Sequence, residues 1–274
     1  MTTARTTAET PTGRDRARQI GVTVSEVLCL VGTLVGVGVL GSRVEESSGG
    51  ALAADATLLA PAGPAFSIWS VIYVGLALYV IWQWLSANAT TARTRSTGWW
   101  VAASMLLNAA WLLVTQQDWI WGSVVVIVAL MLVLGRILVG LSAHRPRTRV
   151  ERLVVDGTLG LYTGWVAVAT CANVTAALVD SGVRVEEPVG EWIGVLVLVV
   201  AVGVGALLVS RVGSRLAVAA AMAWGFAWIA VGRLTDEPAS TIVGVAAIVA
   251  VVAVLAVTLV RRVRREAVGR AVPA

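Results

Sequence analysis

Along the 274-residue chain, apolar residues gather into eight long runs separated by short polar breaks. The runs cover residues 20–41, 66–86, 99–115, 119–142, 153–179, 189–210, 216–232 and 241–260. Each is close to the roughly 20 residues that cross a hydrocarbon core as a helix. Lipid offers the backbone no hydrogen-bond partner, so even the valine-rich runs near the C-terminus read as helix rather than strand. The pattern predicts an all-α fold, a polytopic membrane helix bundle of about eight transmembrane helices. Residues 1–19, rich in Thr, Arg and Ala, are expected to form a disordered tail, residues 42–65 a long loop, and residues 261–274 a basic tail.

Charge tests this count independently of hydropathy. If the loops alternate sides, seventeen of the 21 arginines fall on one side: four in the N-terminal tail, two, four and two in successive loops, and five in the C-terminal tail. The other side holds only Arg43, Arg184 and Arg233 and most of the acids, among them Glu45, Glu46, Glu186 and Glu187. The positive-inside rule then places both termini in the cytoplasm and the 42–65 loop outside, in a multi-pass protein of the plasma membrane. The first run is long and interrupted by Glu26, which reads as a span rather than a cleaved signal segment.

Composition narrows the chemistry. With 58% hydrophobic residues against 14% charged, a soluble globule is excluded and the lipid bilayer is the first partner. All the basic side chains are arginine, so neither a retinal Schiff base nor a phosphate-binding lysine loop can form. One histidine, His144, and two cysteines, Cys29 and Cys171, cannot build a multi-histidine metal centre, a bis-histidine haem site or a zinc-thiolate site. No catalytic residue, metal site or nucleic-acid surface is expected. The two cysteines lie at different depths, which argues against a disulfide.

Three ionisable residues fall within the spans at similar depth: Glu26, Arg136 and Asp156. One reading is a proton or ion relay. The favoured reading is an Arg136–Asp156 pair that fixes the fourth span against the fifth.

The 12 tryptophans divide into two kinds. Trp82, Trp84, Trp99 and Trp100 fall at one predicted membrane boundary, and Trp119, Trp121 and Trp192 at the other, where amphipathic indoles settle. Trp69, Trp111 and Trp165 instead belong to stripes inside spans. Phe66, Trp69 and Tyr73 share one face of the second; Tyr162, Trp165, Ala169 and Asn173 share one face of the fifth; Asn108 and Trp111 lie a turn apart on the third. Taken singly, such stripes are helix-packing glue; three that converge suggest a cavity for a flat apolar ligand.

The fifth span reads L-Y-T-G-W-V-A-V-A-T-C-A-N from Leu161 to Asn173. It resembles the signature of the tryptophan-rich sensory protein family (TspO, translocator protein, peripheral benzodiazepine receptor), with Tyr162, Trp165, Ala169, Thr170 and Asn173 in register. The third span, L-L-N-A-A-W at 106–111, and the second, P-A-F-S-I-W-S-V-I-Y at 64–73, are similar to that family's corresponding helices, although Leu161 and Ile68 stand where the family has proline. The resemblance covers residues 20–180 as a five-helix bundle and leaves the spans of 189–260 as three additional helices. It implies a receptor or carrier for tetrapyrroles such as protoporphyrin or haem, with no required cofactor, and an association into homodimers. Its site would be Phe66, Trp69, Tyr73, Asn108, Trp111, Tyr162, Trp165, Ala169 and Asn173. An alternative is a secondary transporter of another amphipathic solute that couples to ions through Glu26, Arg136 and Asp156. Family members have also been linked to light-dependent porphyrin breakdown, the one enzymatic reading that remains.

Overall fold

The computed structural model describes residues 10–36, 38–211 and 215–271. Every regular element among them is helical. Eight long helices follow in order: α1 (Gly13–Gly36), α2 (Ile68–Trp84), α3 (Ala92–Thr115), α4 (Ile120–Ser142), α5 (Thr158–Asp180), α6 (Val189–Arg211), α7 (Arg215–Thr235) and α8 (Thr241–Ala271). All eight are long and apolar enough to cross a membrane.

Several boundaries depart from the hydropathy reading because polar turns can be helical. Residues 13–19, expected in a disordered tail, form the first turns of α1; residues 1–9 lie outside the described part. The start is fixed by a capping box, in which Thr12 Oγ1 accepts from Asp15 N (3.3 Å) and Asp15 Oδ2 accepts from Thr12 N (3.1 Å). α3 begins at Ala92, seven residues before the apolar run, with Thr91 Oγ1 capping Thr94 N at 3.2 Å. At the other terminus α8 continues through the basic stretch to Ala271. The fifth span is compound: a turn at Arg149–Glu151, a π-helical turn at Arg152–Gly157, then α5. A π turn inserts an extra residue and re-aims the side chains around it.

The helices pack in a chain of neighbours: α1 on α3, α3 on α4, α4 on α5, α5 on α7, α7 on α8 and α8 on α6, with α2 against α1 and α5. Small residues permit two close backbone approaches. A Cβ on Gly32 would sit 3.1 Å from that of Ala109 in α3, and a Cβ on Gly164 would run into the Val218 carbonyl of α7. Both glycines therefore serve helix packing within the chain. The Gly164 contact joins α6–α8 to the first five spans, so the core runs continuously from Val22 to Val254.

One end of the bundle is held by arginine clusters. Arg95 Nη2 pairs with Asp15 at 2.9 Å, and Arg18 pairs with the same carboxylate at 2.7 Å. At the opposite end, residues 38–62 connect α1 to α2. They turn through Gly49 and Gly50, whose φ of 63° and 83° suit glycine, and then enter a 3-10 turn at Gly63–Ser67. This loop is not draped loosely: Val44, Leu59, Ala60 and Ala62 are buried beneath it.

Candidate functional site

Beneath the 38–62 loop, α2, α3 and α5 bring their aromatic stripes together. Phe66, in the 3-10 turn that leads into α2, meets Trp165 edge to face at 5.8 Å. Trp69 stacks on Tyr73 at 5.4 Å and presents its ring to the edges of Tyr162 and Trp165 at 5.8 and 6.3 Å. The i, i+3, i+7 spacing on α2 is what puts Phe66, Trp69 and Tyr73 on this face, and such edge contacts between rings suit the aromatic quadrupole.

Two small cavities lie within the cluster. One, of about 40 Å³, is enclosed by Phe66, Trp111, Trp165, Ala169 and Asn173 below and by Ala51, Leu52, Ala53, Thr57, Ala60 and Pro61 of the loop above. The other, of about 20 Å³, lies deeper between Phe66, Trp69, Asn108, Trp111, Trp165 and Ala169, closed by Ile127 and Leu130 of α4. Seven of the nine expected site residues thus line a cavity. Tyr73 and Tyr162 stand behind them: Tyr162 is fully buried and donates to Ser104 O at 3.1 Å. The site also has an α4 wall and a loop roof that motif reasoning missed, because Ile127, Leu130 and the alanines of the loop carry no polar or aromatic signature.

Hydrogen bonding separates the two asparagines. Asn173 Oδ1 accepts from Trp111 Nε1 at 2.9 Å, and its Nδ2 donates to Ser123 Oγ at 2.9 Å, so this amide ties α3, α4 and α5 together. Asn108 Nδ2 donates to Tyr73 Oη at 3.0 Å, but its Oδ1 has no partner among the described residues. The Trp165 indole N–H is also buried without a hydrogen-bond partner among the described residues. Both unpaired atoms belong to residues that line the cavities, in an apolar surround where an unmet hydrogen bond is costly.

The volumes bear on what can occupy the site. A water needs about 10–15 Å³ of such space, whereas drug-sized ligand sites run to about 300–1,000 Å³. The two cavities have room for a few waters and are far smaller than a drug-sized ligand site.

The three intramembrane charges do not meet. Asp156, on the π turn, is paired with Arg93 Nη2 at 2.8 Å, and the same guanidinium binds Glu151 at 3.2 Å. The expected partner, Arg136, instead lies over the Trp100 ring, 5.7 Å from its centroid. The re-aimed π turn points Asp156 at α3, and Arg93, counted as a loop residue in the sequence reading, is 3% exposed inside α3. The Thr91 cap is the sequence signal that could have placed it there. Glu26 lies apart from both, within electrostatic reach of Cys29, Tyr73 and Tyr162, and neither carboxyl oxygen has a hydrogen-bond partner among the described residues. Cys29 and Cys171 are free thiols. Among the boundary tryptophans, Trp192 is 59% exposed, while Trp82 is buried and stacks on Tyr79 at 6.0 Å.

The model of one protein family, described as TSPO-like protein, matches residues 23–260. The matched stretch begins within α1, ends within α8 and so runs past the motif-bearing spans. No curated protein and no solved structure gives a match.

Proposed function

Because the chain belongs to the TSPO-like family and is a membrane helix bundle, we propose that it is a receptor or carrier that holds a flat apolar ligand of the tetrapyrrole class under the 38–62 loop. The observation that carries this reading is the convergence of three aromatic stripes, from helices distant in sequence, on one pair of cavities that share Phe66, Trp111, Trp165 and Ala169. Indole and phenyl faces suit a planar ring, and the free Asn108 Oδ1 and Trp165 N–H suit the nitrogens at its centre or the polar groups at its edge. Asn173 acts as a strut, since its amide is already engaged. The arginine bias supports an orientation in the plasma membrane with both termini cytoplasmic and the loop outside, so the ligand enters from the outer face or outer leaflet. The small closed volume makes loop movement part of the function.

Titration of the purified protein with protoporphyrin, followed by tryptophan quenching, tests this. The expected result is saturable quenching that Trp165→Ala weakens and Trp192→Ala does not. Unsaturable quenching of equal size in all three proteins rejects the site. The transporter alternative draws less support, because its proposed coupling group is split into an Arg93-bound Asp156, a tryptophan-facing Arg136 and an isolated Glu26.

A further inference from the structure

The loop over the site is held from two sides, and the two differ in kind. On the α3 side Ser48 Oγ donates to Thr115 O at 3.1 Å, and the amide of Gln116 exchanges hydrogen bonds with the Ser42 backbone at 3.1 and 3.0 Å. On the α7 side Ala62 N donates to Trp228 O at 3.2 Å and Trp224 Nε1 donates to Ala65 O at 2.9 Å. Between these Arg233 reaches out from the last turn of α7. Its Nη2 donates to Ala54 O at 2.9 Å and its Nη1 to Pro238 O at 2.8 Å, with the side chain 1% exposed. Ala54 directly follows Ala53, a roof residue of the larger cavity.

An arginine that served only its own helix end would need nothing beyond Pro238, five residues away; Ala54 is 179 residues away. Both acceptors are neutral backbone carbonyls, so Arg233 itself grips the loop through a single charge-assisted hydrogen bond, reinforced by the electrostatic pull of Asp55 beside Ala54. Asp236 and Glu237, just beyond the end of α7, lie within electrostatic reach of the same guanidinium.

We propose that Arg233 is a positioning residue that latches the 38–62 loop over the cavity, so that α7 governs how fast a ligand enters and leaves. This rests on the reading of the cavity as a ligand site, and it gives the last three helices a task in that site: α6 and α8 brace α7, and α7 holds the roof.

Two measurements test it on the full chain in detergent. Amide hydrogen exchange without ligand reads the latch directly: in Arg233→Gln, amides of residues 44–62 should exchange at least about tenfold faster while α3 and α5 keep wild-type protection. Stopped-flow tryptophan quenching by protoporphyrin reads the consequence: association and dissociation rates should rise together with Kd little changed, and Arg233→Lys should fall between the two proteins. A merely structural defect would alter Kd or the amplitude instead. Should Arg233→Gln fail to fold, a second variant decides. A Cβ on Gly232 would lie 3.6 Å from that of Ala62, within the roughly 3.5–4.5 Å a disulfide needs. The oxidised Ala62→Cys/Gly232→Cys protein should therefore slow both rates, and reduction should restore them. Wild-type loop exchange in a folded Arg233→Gln protein, or wild-type ligand rates in the oxidised pair, overturns the latch. Faster loop exchange with no protoporphyrin quenching in any protein upholds the latch and rejects the ligand class.

Discussion

Trp111 and Asn173 are joined by a hydrogen bond of 2.9 Å that crosses from α3 to α5, and Ser123 of α4 completes the triangle on the same amide. Three helices are thus tied at one buried point beside the cavity. Replacing Asn173 by Ala strands the Trp111 N–H in an apolar wall. Polar contacts between membrane helices contribute up to about 1.7 kcal/mol. Asn173→Ala should cost about 1–2 kcal/mol in a reversible unfolding assay, and Asn173→Leu, of similar volume, should cost at least as much. An unchanged midpoint would show that the strut carries no load.

Ring stacking contributes about 0.5–1.5 kcal/mol beyond buried area. Trp69→Ala and Trp165→Ala should each weaken protoporphyrin binding about tenfold or more, provided circular dichroism shows an intact helix bundle. Trp192, 59% exposed on α6, is the control. Trp82 would be a poor one, since it is packed against Tyr79.

Ala169 borders both cavities with a single methyl group. Ala169→Phe should fill them and abolish binding while leaving the unfolding midpoint within a few degrees of wild type. Retained affinity would place the ligand elsewhere.

Arg93 is the shared cation of two buried carboxylates. Arg93→Gln removes the cation that the two buried carboxylates share and should cost about 3–5 kcal/mol, with Asp156→Asn milder because Arg93 keeps Glu151. Arg136→Gln removes only a cation–π contact and should cost about 1 kcal/mol or less. Denaturant midpoints of the three variants check the order. Equal losses from Arg93 and Arg136 would restore a role for Arg136 in the ion pair.

Glu26 has no hydrogen-bond partner among the described residues to lose. Glu26→Gln should leave the denaturant midpoint close to wild type, because it exchanges one buried polar side chain without a hydrogen-bond partner among the described residues for another. A folded Glu26→Gln protein that loses proton-coupled solute uptake would revive the transporter alternative.

Much of this was readable in the residues themselves. Eight spans follow from apolar runs, and the meeting of the aromatic stripes follows from Phe66, Trp69, Trp111 and Trp165, whose helical spacing puts bulky rings on one face. What escaped is polar or remote. Residues 13–19 and 92–98 are helical through capping and ion pairs that a hydropathy run does not register. The partner of Asp156 is decided by a π turn, which re-aims one side chain without a mark in composition. The roof depends on Arg233 and Ala54, and contacts across such a distance have no local pattern to find.

The roof also sets an order of assembly. Residues 38–62 leave the ribosome long before their fastener, since Arg233 follows Ala54 by 179 residues. At about 5–20 residues per second, that interval is roughly 10–35 s. During synthesis the nascent five-span portion stands with an unlatched loop until the seventh helix inserts. A newly made chain therefore passes through an open-mouthed stage, and sealing of the aromatic chamber belongs among the last events of its birth.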